Sequence, residues 1–390
     1  MKRMAVIFEG NITQQLGVFN AVINRVAHLL DIAPYDIDVF MIQGYDTGLN
    51  RLLHGTPRIH ARPIRFSVDG IGVEVLWFKH RLIDSVLQRV FHRQPWFYRR
   101  WLRGVGERLK DYDLISSHDR IASLAAWHAV NLSPKPWFIT WHGASIYTEP
   151  YRHPEVRQVT CDLLQAPTCN FFVSRGLVTQ AERLCTGFKW QVLCNGARES
   201  FTRYDDKRRR SLRKRENVNG RRVIAFVGRL EPVKNVLVLP PLMQALANHG
   251  VANAQLWVIG SGSLHDELRQ ALQAAGVDYR MWGSQSAERM PELMNCIDVL
   301  VLPSKLEGMP LVAIEALQCG ANVVASDVVG NAEVVGADNV VALDNNLVEN
   351  MASRVAHLLT HTVEQQLPPE VSWEATAQLE KAAYDPYMTE

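Results

Sequence analysis

Short apolar runs alternate with helix-length segments along this chain, and the series runs twice. "MAVIF" (4–8), "DIDVFMI" (36–42), "DLISS" (113–117), "WFITW" (137–141) and "NFFVS" (170–174) predict buried strands, with helices such as 17–30 and 120–132 between them. The pattern restarts at "RVIAFVG" (222–228) and continues through "QLWVIG" (255–260), "DVLVLPS" (298–304) and "NVVAS" (322–326). Alternation of this kind implies right-handed crossovers and parallel sheets covered by helices on both faces. Two such series predict an α/β chain with two doubly wound domains. A length of 390 residues agrees with more than one domain.

The expected organisation follows from where the pattern stops. Residues 1–203 form a first Rossmann-like domain and 222–371 a second. The stretch 204–221, "YDDKRRRSLRKRENVNGR", is basic and poor in apolar residues, and reads as a connection with a solvated face rather than a nucleic-acid patch. Residues 372–390 predict an amphipathic C-terminal helix that packs back toward the first domain.

Composition removes other classes. Hydrophobic residues make up 47% and the net charge is only +2, so a large core is possible and the global balance favours no nucleic-acid partner. Six cysteines without a C-x-x-C pair predict reduced, buried thiols and a cytoplasmic chain. The first apolar run stops at Glu9, too short for a signal-peptide core, and no uncharged run approaches the ~18 residues of a spanning helix.

In open parallel sheets, ligands bind outside the carboxyl ends of the strands. One strand ends at Gly228, and Arg229 and Lys234 follow in "GRLEPVK", ahead of a helix expected near Pro232 or Asn235. Two cations beside a helix N-terminus make an anion site: amides and dipole, a planar fork and a point charge. Another strand, "DVLVLPS", leads into "KLEGMP" and then a helix from Leu311. Gly308 and Pro310 suit a tight turn into a first helical turn. Glu307 lies on that loop, beside the anion position of Arg229 and Lys234. Glu315 lies about one and a half turns into the helix, too far from Glu307 for an acid–base pair. Its position suits accepting hydrogen bonds from paired hydroxyls such as those of a ribose. Two Asp-x-Asp strings, Asp36-Ile37-Asp38 and Asp111-Tyr112-Asp113, precede strands rather than follow them and read as strand-entry residues, not metal ligands.

"FVGRLEPVKN", "SKLEGMPLVAIEALQCGANVVASDVVGNAEVV" and "VLCNGARESF" together resemble the retaining glycosyltransferases of family 4. The resemblance is most specific over 222–335. It implies the GT-B fold, two Rossmann-like domains facing across a cleft, and a metal-independent transfer from a nucleotide-diphosphate sugar with no cofactor. By that resemblance Arg229 and Lys234 hold the donor diphosphate and Glu307 touches the donor sugar. Gly228 opens the site, and the backbone of Gly308, Met309, Pro310 and Leu311 cradles sugar and phosphate. Glu315 holds the ribose, and Gly283 and Ser284 contact the base. In the first domain Gly17 is the best candidate for close approach to phosphate. His142 lies near the reacting sugar, and His118 and Asp119 face the acceptor. UDP is favoured over GDP.

Residues 78–110 carry nine Lys or Arg and two acidic residues, with Trp96, Phe97, Tyr98 and Trp101 among Arg99, Arg100 and Arg103. Two readings stand: a surface facing anionic lipid headgroups, or an amphipathic helix packed on the first domain. The first implies a peripheral enzyme at the cytoplasmic face of the inner membrane, acting on a glycan or lipid-linked acceptor in surface-polysaccharide or lipopolysaccharide synthesis. The alternatives are a non-catalytic nucleotide-sugar-binding protein of the same fold and a nucleotide-sugar epimerase.

Overall fold

The structure, a computed structural model, describes residues 2–12, 17–46, 64–80, 96–152, 154–361 and 364–388. It divides into two compact units. One comprises Met1–Cys194 with Trp373–Glu390, the other Asn195–Ser372. The expected stretch 81–95 of the basic aromatic segment, and residues 13–16 of the first loop, lie outside the described residues.

The first unit is built on an eight-stranded sheet of β1 (Arg3–Glu9), β2 (Asp36–Asp46), β3 (Arg65–Val68), β4 (Ile71–His80), β5 (Leu114–His118), β6 (Trp137–Trp141), β7 (Cys169–Phe172) and β8 (Trp190–Val192). The spatial order is β3-β4-β2-β1-β5-β6-β7-β8. Every neighbouring pair is parallel except β3–β4. That hairpin turns at Asp69-Gly70, both at positive φ (49° and 80°), as an Asp-Gly turn between twisted strands demands. The interior of β1 and all of β5 and β6 are buried, as in a sheet covered on both faces; β1 carries a continuous apolar run, whereas β5 buries Ser116, Ser117 and His118. Helix Val18–Ile32 buries Phe19, Val22, Ile23, Val26 and Leu29 against it, a helical stripe worth about 1.5–3 kcal/mol per large side chain. The C-terminal helix Trp373–Met388 lies in this unit and adds Tyr384 and Met388 to the same core.

The second unit holds β9 (Arg222–Val227), β10 (Ala254–Ile259), β11 (Tyr279–Gly283), β12 (Val299–Leu302), β13 (Asn322–Ser326) and β14 (Val340–Val341). The order is β11-β10-β9-β12-β13-β14, all parallel. The α/β class with two parallel, Rossmann-like sheets is therefore present.

Two stretches differ from the sequence reading. The second unit begins at Asn195 rather than near 222, because this lead-in packs into it: Tyr204 N donates to Asn295 Oδ1 at 2.8 Å and Asn195 bonds to Met309. The basic stretch 204–221 contains a helix, Asp206–Arg215, capped by Asp205 Oδ1 accepting from Arg208 N. Leu212 is its buried anchor, and Arg213 reaches Asp298 Oδ2 at 3.2 Å. In the segment 96–109, a helix, Tyr98 and Trp101 turn inward onto Phe78, at ring separations of 4.6 and 5.4 Å. Arg99, Arg100 and Arg103 are exposed. Among the described residues, no helix is long and apolar enough to cross a membrane.

Candidate functional site

In the second sheet β9 has β10 on one side and β12 on the other, and the chain progresses outward in both directions. The loops after β9 and β12 therefore leave in opposite senses at the switch point, where an α/β sheet opens a crevice. Those are the loops that carry Arg229 with Lys234 and Glu307. Arg229 is exposed. Lys234 Nζ lies 2.6 Å from Glu307 Oε1, with side chains 22% and 11% exposed, so the two form a sheltered ion pair. Lys305 N donates to Val233 O at 2.8 Å and ties the two loops through the backbone as well. The helix expected near Pro232 or Asn235 does not begin there. Two 3-10 turns, Pro232–Lys234 and Val236–Val238, meet at Asn235 in the left-handed region, and the α-helix starts at Leu239. Left-handed backbone at Asn235 breaks the ladder that a continuous helix needs.

The turn after Glu307 is held from two sides. Helix Leu311–Gln318 starts where its sequence signal places it, with Pro310 extended at its N-cap. Gly330 (φ 80°) packs its α-carbon so closely that a Cβ there would stand 1.9 Å from Gly308 O. Asn331 Nδ2 donates to Ser326 O at 2.8 Å and fixes that neighbouring turn. Opposite, Asn195 N faces Met309 Sδ at 3.1 Å and Asn195 Nδ2 donates to Met309 O at 3.3 Å. The Gly308–Leu311 backbone is thereby preset. Glu315 follows on the helix, half-buried, and burial pushes its carboxyl up to about 7 against the opposing effect of Arg198.

Sequence reasoning missed one loop here. "GSGS" (260–263) follows β10 and packs onto the loop after β9: a Cβ at Gly260 would meet Gly228 O at 1.9 Å. Glu231 accepts from Ser263 N at 3.0 Å and from Ser263 Oγ at 2.7 Å, and these bonds hold its carboxyl below the usual range. Its position, glycines directly after a strand and before a helix, was the available signal. The next loop brings in Gly283 and Ser284: Gly260 N donates to Gly283 O at 2.8 Å, and Ser284 Oγ lies 2.9 Å from Ser261 Oγ. The Arg280 guanidinium stacks 3.5 Å over the Trp282 ring just before them.

The first unit gathers a separate cluster at its own switch point, between β1 and β5. Gly17 precedes helix Val18–Ile32 at φ 55°, and a Cβ there would meet nothing within 4 Å among the described residues. His118 ends β5 and Asp119 opens the next helix at φ 58°, a strained position for a residue with a side chain. His118 Nδ1 lies 2.9 Å from His142 Nε2, and His142 N donates to Asp119 Oδ1 at 3.1 Å. Burial pushes the Asp119 carboxyl up to about 7. Burial, with Arg25 nearby, lowers His142 to about 3, and burial, His142 and Arg25 hold His118 well below its ordinary value. Both imidazoles are therefore neutral at pH 7.

The Asp-x-Asp strings sit at the other end of this sheet. Asp38 accepts from Tyr112 Oη at 2.6 Å and from Arg3 at 2.8 Å, and Asp113 accepts from Arg3 N at 2.7 Å. Among the described residues, no three His, Cys, Asp or Glu gather as a metal site would require.

Residues 207–378 match the family described as glycosyl transferases group 1. A putative teichuronic acid biosynthesis glycosyltransferase, TuaC, of Bacillus subtilis is 25% identical over 67% of this chain and 64% of its own length. A lipopolysaccharide 1,2-N-acetylglucosaminetransferase of Salmonella typhimurium is 26% identical over 40% of this chain and 46% of its own. The chain thus spans less than two thirds of these relatives. The solved structure of Anabaena HepE in complex with UDP and glucose superposes over 99% of this chain and 96% of that one, with a TM-score of 0.68 at 18% identity, and so shares its fold.

Proposed function

We propose that this chain, whose residues 207–378 match the family of group 1 glycosyl transferases, moves a sugar from a nucleotide-diphosphate donor to a glycan or lipid-linked glycan. The observation that carries this reading is the Lys234–Glu307 pair at the switch point of the second sheet. A cation and a carboxylate held side by side match a ligand that is anionic at one end and hydroxylated at the other. Arg229 and Lys234 hold the diphosphate and stabilise the leaving nucleotide as its oxygen takes up charge. Glu307 accepts from the sugar hydroxyls, the Gly308–Leu311 backbone cradles sugar and phosphate, Glu315 holds the ribose, and Gly283 and Ser284 meet the base. Gly17 is the glycine of close approach to phosphate. His142 orients a sugar hydroxyl, and His118 and Asp119 serve the acceptor side.

The reaction retains the anomeric configuration. The acceptor hydroxyl attacks the face that the diphosphate leaves, the anomeric carbon–phosphate oxygen bond breaks, and the departing phosphate oxygen takes the proton. The donor is a UDP-sugar, a choice supported by the UDP found in HepE. The relatives named for teichuronic acid and lipopolysaccharide synthesis support a bacterial surface-polysaccharide acceptor. Exposed Arg99, Arg100 and Arg103 support a peripheral position on anionic lipid at the cytoplasmic face.

A thermal-shift panel of UDP-, GDP- and ADP-sugars tests the donor, because a ligand that binds the folded state raises Tm by mass action. A UDP-sugar should give the largest shift, and acceptor-free hydrolysis should release UDP. Glu307→Gln and Lys234→Ala should each cut turnover by about tenfold or more while the protein stays folded. Normal turnover in both variants overturns the site.

A further inference from the structure

A buried ion pair in the first unit has no place in the chemistry above. Arg25, on helix Val18–Ile32, is 2% exposed, and Glu380, on the C-terminal helix, is 3% exposed. Arg25 Nη2 donates to Glu380 Oε1 at 2.7 Å and Nε to Oε2 at 3.2 Å. Tyr384 Oη donates to Glu380 Oε1 at 3.0 Å and lies 3.2 Å from Ser116 Oγ, from which it accepts. One nitrogen is left over: among the described residues, Arg25 Nη1 is buried without a partner. Arg25 lines a small cavity of about 10 Å3, shared with Glu380, Ser116, His118 and apolar side chains of β1 and helix Val18–Ile32. That volume and that many polar groups suit a single water. A guanidinium aimed at nothing inside a core costs far more than one bridged by water.

We propose that one ordered water in this cavity joins Arg25 Nη1 to His118, and that Arg25 is thereby a positioning residue that fixes the tautomer of His142. Arginine only donates, so the water spends one lone pair on Arg25 and keeps both of its protons to give. The water accepts from Arg25 Nη1–H and donates to His118. His118 Nδ1 is engaged with His142, which leaves Nε2 as the ring atom that accepts. His118 then carries its proton on Nδ1 and donates to His142 Nε2. His142, neutral, keeps its own proton on Nδ1 and offers the sugar a donor rather than an acceptor. The Glu380 carboxylate and Tyr384 hold the guanidinium at the head of the chain. The tautomer assignment stands on these contacts; its use in transfer rests on the reading of His142 given under Proposed function.

The test uses the full chain labelled with 15N-histidine, and long-range 1H–15N correlation of the ring nitrogens, assigned with His118→Gln and His142→Gln. The wild type should show His142 protonated on Nδ1. Arg25→Met/Glu380→Met replaces the pair with apolar side chains, an exchange that buried ion pairs often tolerate without loss of stability. That variant should melt within a few degrees of wild type, show mixed His142 tautomers, and lose about tenfold in kcat with donor KM unchanged. A His142 protonated on Nε2 in the wild type overturns the proposal, as does a folded double variant with the wild-type ring spectrum. Should the double variant not fold, the wild-type spectrum and the electron density beside Arg25 Nη1 decide. A correct tautomer in a protein without transferase activity would sink the functional reading and leave this one standing.

Discussion

Lys234 and Glu307, 73 positions apart, meet at 2.6 Å and join the loop after β9 to the loop after β12. A diphosphate that binds Lys234 must compete with that carboxylate. Lys234→Ala should therefore weaken UDP by the worth of one charge-assisted hydrogen bond, about 1.5–3 kcal/mol or roughly 10–150-fold. Glu307→Gln should act the other way on UDP alone, equal or tighter, while transfer of the sugar is lost. Isothermal titration with UDP separates the two. Wild-type affinity in Lys234→Ala would remove the phosphate role.

The two halves of that pair were legible one by one, because each follows an apolar run at a strand end. That both loops face one crevice was legible as well; the direct Lys234–Glu307 ion pair was not, since nothing in the sequence states that β12 lies beside β9. The same limit hides Arg25 and Glu380, 355 positions apart. The helix Asp206–Arg215 read as a connection because a run of cations has no apolar period; it is secured by one leucine and by arginine contacts to Asp298 and Asn295. The β3–β4 hairpin carried its Asp69-Gly70 signal, but β3, which alternates exposed and half-buried residues, is only four residues long. Strand-end loops were readable for Arg229, Lys234 and Glu307, whereas "GSGS" looks like any polar turn until β10 is placed next to β9.

Gly330→Ala should damage the site without touching a charged group. The new methyl would stand 1.9 Å from Gly308 O at a φ of 80°, so the loop carrying Glu307 must shift. We expect a loss of about 2–4 kcal/mol in stability and a drop in donor affinity. Gly276→Ala is the control: its φ is 62°, but a Cβ there meets nothing within 4 Å among the described residues, so only backbone strain of about 1 kcal/mol is incurred. Equal Tm losses in the two would show that the contact with Gly308 does not matter.

Asp119 should leave a pH signature on stability. Its carboxyl is raised to about 7 by burial, so between about pH 4 and 7 the unfolded chain releases a proton that the folded protein keeps. Stability from this group is fully present below pH 4 and falls as pH rises toward 7. His142, lowered to about 3, acts with the opposite sign, because the unfolded chain takes up a proton below about pH 6.5. The difference between wild type and Asp119→Asn isolates the carboxyl. Relative to wild type, the variant should gain on the order of 1–3 kcal/mol from pH 4 to pH 7.5. Urea melts with parallel profiles for the two proteins would contradict the burial of this charge.

Glu315 makes two readouts move in opposite directions. Burial raises its carboxyl to about 7, so it is protonated below that pH and ionised above it. Ribose hydroxyls donate to an ionised carboxylate more strongly than to a neutral acid. Affinity for a nucleoside diphosphate should therefore rise from pH 6 to pH 8 in the wild type, by up to about tenfold, and less in Glu315→Gln. Stability runs the other way: the folded protein holds the proton that the unfolded chain loses above about pH 4.3, so wild type should fall relative to Glu315→Gln as pH climbs to 7. A residue that weakens the fold at the pH where it strengthens binding is kept for the ligand. Should Glu315→Gln match wild-type affinity at pH 8, the ribose contact belongs to another residue. Should it also match wild-type stability there, the carboxylate is better solvated than its place on the helix implies.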